Sequence, residues 1–99
     1  MRIDHEIERL VWDDWNREHI RKHGVTLEDA EDVVSGLPTF EETYKGRLKA
    51  VGPTTTGRMV VVIIGSVPGR VGDYYVFSSR PASRNECRQY DREMKGAGT

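Results

Sequence analysis

The chain has 99 residues, 36% of them hydrophobic and 31% charged, and a net charge of −1. That length suits one domain with a modest core. No apolar run approaches the roughly 18–20 residues a membrane span needs, the charged N-terminus lacks a signal-peptide stretch, and the lone Cys87 excludes a disulfide framework, so a cytoplasmic protein without membrane contact is expected.

In chain order, "IERLVW" (7–12) alternates apolar and polar residues and predicts a short first strand. Asp13 or Asp14 then caps a helix running to about His23, and Gly24 follows where a left-handed residue commonly ends a helix. Thr26 and Asp29 outline a capping box for a second helix, with Val25 and Ala30 placed as a hydrophobic staple. Leu27, Ala30, Val33 and Val34 recur at helical spacing and predict its buried face, and Gly36 and Pro38 stop it. "TFEETY" and "GRLKAVG" read as strands. "RMVVVIIG" (58–65) is β-branched and apolar on both faces, which predicts the central strand. "PTTTG" and "PGRVGD" are turns, and "YYVFSS" (74–79) is the last strand. Ser83 and Glu86 outline a capping box for a final helix, and residues 93–99 are expected to form a frayed tail. The result is one α+β domain over residues 1–99. It has an antiparallel twisted sheet of about four strands, two N-terminal helices and one C-terminal helix.

Charge is unevenly spread. Residues 1–42 hold five bases against twelve acids, a net −7, and residues 43–99 hold ten bases against four acids, a net +6. Either the halves pair inside the fold, or they form two faces with different partners, one of them a polyanion. Arg84, Arg88 and Arg92 recur every fourth residue and share one face of the last helix, a row that reads equally as a solvated face. Arg80 ends the last strand and Arg58 begins the central one, so the sheet holds both. A guanidinium donates two parallel hydrogen bonds to phosphate, which makes these two the candidate phosphate ligands. Arg47 and Lys49 add charge on a neighbouring strand.

Trp15, His19, Lys22 and His23 line one stripe of the first helix. In one reading Trp15 is core and the histidines flank it. In the other the ring stacks on an unpaired base, an imidazole moves a proton, and the lysine stabilises charge on a phosphorane. His19 and His23 have a spacing that zinc sites use, but Ile20 stands where the zinc-protease pattern needs Glu, and the other histidine, His5, is distant. No metal and no cofactor are expected. "GSVPGRVG" lacks the lysine and following helix of a P-loop. Cys87 reads as a packing residue of the last helix.

Three separated stretches, "WDDWNREHIRKHGVTLEDA", "GRLKAVG" and "SSRPASRNECRQY", resemble the BrnT toxins of bacterial type II toxin–antitoxin modules. The resemblance rests on Trp12, Asp13, Lys22, His23, Gly24 and Val25, then on Ser79, Arg80, Ala82, Ser83, Glu86 and Tyr90, in order along the chain. It implies a RelE-like fold and metal-independent RNA cleavage that slows translation. It also implies a cognate antitoxin of the ribbon-helix-helix type, BrnA-like, through which alone the toxin would meet operator DNA. The resemblance carries roles onto Trp12, Lys22, His23, Arg58 and Arg80; with His19 added from the helix stripe, Lys22, His23, Arg58, Arg80 and His19 are the candidate catalytic residues. Trp12, Arg47, Arg84 and Tyr90 are the candidate RNA-binding residues. An inactive toxin that binds antitoxin or RNA without cleavage is the alternative, and a plain interaction domain is a third.

Overall fold

The structure, a computed structural model, describes residues 6–97. Strand β1 (Arg9–Val11) leads into helices α1 (Asp14–Arg21) and α2 (Leu27–Ser35). Strand β2 (Thr39–Glu42), a short 3-10 turn (Tyr44–Gly46), and strands β3 (Leu48–Pro53), β4 (Met59–Val67) and β5 (Arg70–Pro81) follow, and helix α3 (Arg84–Ala97) closes the chain. Helix α3 runs through residues 93–97 of the expected tail, and residues 98 and 99 lie outside the described residues.

The class is α+β, as expected, but the sheet has five strands in the order β1-β5-β4-β3-β2 and is mixed. Strand β1 pairs in parallel with β5, Leu10 opposite Tyr74, while the other neighbours are antiparallel. The wholly antiparallel sheet of about four strands is therefore corrected. The alternation in 7–12 shows that a strand exists and carries no information about its distant partner. Strand β4 is central, and Val60, Val61 and Val62 are all fully buried, which accounts for its two-sided apolar sequence. The turn in "PGRVGD" narrows to Pro68 and Gly69, because Val67 already pairs with Arg70. Gly69 has φ +76, the left-handed backbone that a tight hairpin needs.

The helix caps form as the sequence predicts. Asp13 accepts from the Asn16 amide at 2.9 Å and its own amide donates to Asn16 Oδ1 at 2.8 Å. Thr26 and Asp29 exchange the same pair of bonds at 3.1 Å each. Gly24, at φ +77, ends the α1 turn.

Helices α1 and α2 cover one face of the sheet. Ile20, Val25, Ala30 and Val33 pack there on Leu10, Leu48, Ala50, Val60, Val62, Ile64 and Val76. The opposite face carries Lys49, Val51, Val61, Ile63, Ser78 and Arg80, since cross-strand partners share a side. Helix α3 lies over part of this second face, where Glu86 meets Lys49.

Candidate functional sites on the two faces of the sheet

The sequence places Arg80 and Arg58 in one phosphate cradle. The structure separates them. Arg80 stands opposite Val61 on the α3 face. Its Nη1 and Nη2 donate to the two carboxylate oxygens of Glu86, each at 2.7 Å, and Nη1 also donates to Pro81 O at 3.2 Å. Arg58 turns to the α1–α2 face, where Nη1 donates to Gly24 O at 2.8 Å and lies 3.5 Å from Asp29 Oδ2. The cause is the strand period: positions an odd number of residues from a shared register point to opposite sides. Each guanidinium also has a carboxylate partner that its position in the sequence did not reveal.

On the α3 face, Glu86 is a hub. Its side chain is 12% exposed and binds Arg80, Lys49 Nζ at 2.6 Å, and the Ser83 amide at 2.7 Å. These donors, Arg80 first, hold the Glu86 carboxyl far below the usual carboxylate range. The same interaction raises the Arg80 guanidinium further above its ordinary value. Glu86 occupies the end-on fork of Arg80, and the side-on fork, Nε–H with the second Nη2–H, has no partner among the described residues. Along the same face Arg47 lies over the Phe77 ring, 3.6 Å from its centroid. Gly65 makes room for that pair, because a Cβ there would stand 2.8 Å from Phe77. Sequence reading assigns Glu86 only a capping role and misses Phe77 altogether. Their signal is weak: a bulge at Ile63/Ile64 shifts the alternation through Phe77.

The second cluster sits on α1. Trp15 is 59% exposed, so the core reading of this residue is overturned. Its ring stacks on His19 with centroids 4.7 Å apart and planes 11° apart. His19 in turn meets His23 edge-on at 5.3 Å. Lys22, exposed, caps the same helix end, and the Arg58 guanidinium rests on the adjoining Gly24 carbonyl. Four of the five candidate catalytic residues, His19, Lys22, His23 and Arg58, are thus at one helix end, and Arg80 is on the other face. Among the described residues no three His, Cys, Asp or Glu side chains form a metal-ligand group. His5 lies outside the described residues.

Two candidate RNA-binding residues make bonds within the fold. Trp12 packs against the core and its Nε1 donates to Glu31 Oε2 at 2.9 Å, pinning the end of β1 to α2. Tyr90 Oη donates to Leu37 O at 2.8 Å and ties α3 to the segment before β2, and burial pushes its phenol upward. Arg84 is exposed at the start of α3, and Arg88 and Arg92 are exposed along it. No helix among the described residues is long and apolar enough to cross a membrane. No protein-family model matches this chain, and no curated protein matches it in sequence.

Proposed function

We propose that the chain is the toxin of a type II toxin–antitoxin module, a RelE-like endoribonuclease that needs no metal and acts in the cytoplasm. The observation that carries this reading is the end of α1, where His19 and His23 are in ring contact, Lys22 is the C-cap and the Arg58 guanidinium bonds the adjoining Gly24 carbonyl. Metal-free RNA cleavage requires three things: a base for the 2′-OH, an acid for the departing oxygen, and cations for the phosphorane. One imidazole takes the 2′-OH proton as that oxygen attacks phosphorus. The P–O5′ bond breaks, and the other imidazole, entering as imidazolium, protonates the leaving 5′-oxygen. The products are a 2′,3′-cyclic phosphate and a 5′-OH. Lys22 and the uncommitted N–H groups of Arg58 face the developing charge. The antitoxin, a ribbon-helix-helix protein in this reading, would neutralise the toxin and connect it to operator DNA.

The deciding experiment incubates the purified protein with RNA, with and without EDTA. Cleavage that persists in EDTA and falls about 10²–10³-fold in Arg58→Ala is expected. Intact RNA throughout, together with normal growth on induced expression, defeats the proposal. A second reading, an RNA-binding or antitoxin-binding module without cleavage, has one observation in its favour. Asp29 lies 3.5 Å from Arg58 and offsets part of its charge. That reading expects binding and no products in the same assay.

A further inference from the structure

Trp15 is the largest side chain among the described residues left mostly to solvent, at 59% exposure. An exposed Trp commonly moves among rotamers, but this one is braced. His19 lies nearly coplanar with it at 4.7 Å, and His23 supports His19 edge-on at 5.3 Å. The three rings follow one another at four-residue steps along one side of α1 and its C-terminal turn. The brace covers one face of the indole and leaves the other open. Side-chain ordering, which a binding event normally has to supply, is already in place.

We infer that the open face of Trp15 is a stacking platform for one unpaired base of a single-stranded RNA. The strand's phosphates lie toward Lys22 and Arg58, further along at the same helix end. The inference rests on the RNA-directed reading above and adds a binding subsite to it. Charge supports this occupant over a protein strand or a second copy. The helix end beyond the rings carries Lys22 and the Arg58 guanidinium, the latter 3.5 Å from Asp29. Of the two acids on α1, Glu18 is paired with Arg21, while Asp14 precedes Trp15 in the first turn, away from that end. Stacking on a π-face accepts every base, with purines stacking best through their larger rings.

The test is a fluorescence titration with a ten-nucleotide single-stranded oligonucleotide whose 2′-OH groups are replaced by hydrogen, so that it binds but cannot be cut. A matching strand carrying abasic sites keeps the phosphates and removes the rings. Wild-type emission should be quenched on binding, and Trp15→Phe, which keeps only Trp12, should lose the quenching. Trp15→Ala should weaken binding by about 5- to 150-fold, the fold-change equivalent of about 1–3 kcal/mol per stacked base. Trp15→Phe should retain most of the affinity, and the abasic strand should bind the wild type and Trp15→Ala equally. Equal affinity of wild type and Trp15→Ala for the intact strand overturns the inference, as does saturation without quenching or no binding at all. If the strand binds and quenches but all-ribose RNA stays uncut, the cleavage proposal falls while the platform stands.

Discussion

Asn16 ties together three parts of the chain with one side chain. It is fully buried, donates to Val11 O and Val76 O at 3.0 Å each, and accepts from the Asp13 amide. Asn16→Ala leaves two carbonyls without donors and opens the α1 cap, so a loss of about 2–4 kcal/mol is expected in urea unfolding. An unchanged midpoint would show that water replaces the amide. Glu86 acts at the same scale on the other face. Its carboxyl is depressed by Arg80 and Lys49, so its stabilisation is complete above the ordinary value of 4.5 and is lost as pH falls below it. Glu86→Gln should therefore be less stable than wild type near neutral pH, and the two melting curves should converge as the solution is made strongly acidic. Parallel loss in both proteins would assign the acid limb to other carboxylates. Neither role is legible in the sequence. Asn16 reads as one polar residue in "WDDWN", because its burial depends on a strand sixty positions away. Glu86 reads as a cap because the cap is local, while Arg80 and Lys49 reach it only through the sheet.

At the scale of elements, the local signals are the readable ones. The caps of α1 and α2, the left-handed Gly24 and the central β4 all follow from short-range rules that the chain obeys. The place of strand β1 in the sheet does not, because its parallel position beside β5 is fixed by groups far apart in sequence. Asp73, 4% exposed, receives Arg9 at 3.3 Å and Arg70 at 2.7 Å, and the Glu8 amide donates to Gly72 O at 2.8 Å. A buried carboxylate with two guanidinium partners becomes costly when its charge is removed, because both partners keep theirs. Asp73→Asn should speed amide hydrogen exchange in residues 9–11 by about ten-fold or more while β3 and β4 stay protected. Uniform acceleration across the sheet would mean that β1 and the core unfold together.

For the whole molecule the question is what the −7 and +6 halves do. Pairing between them is sparse. Among the described ion pairs, Arg9–Asp73 and Arg58–Asp29 cross the division, while Arg80–Glu86, Lys49–Glu86 and Arg70–Asp73 stay within the basic half. Little of the net charge is therefore cancelled across the division. The cations at the two candidate surfaces are Lys22 and Arg58 at a helix end on one side of the sheet and Arg47, Lys49 and Arg80 on the other, where Glu86 pairs with the last two. Salt dependence can separate these surfaces. For a single strand, each phosphate a variant no longer neutralises makes the slope of log affinity against log salt shallower by about 0.7. Lys22→Ala should reduce the slope by about one such step, and Arg88→Ala, on the solvated row of α3, should leave it unchanged. Arg47→Ala discriminates between the two faces. Its guanidinium lies on Phe77, away from α1, so a strand held at the histidine cluster should not register its removal. A slope that drops in Arg47→Ala and not in Lys22→Ala would move the RNA to the α3 face, where the free fork of Arg80 is the natural phosphate ligand.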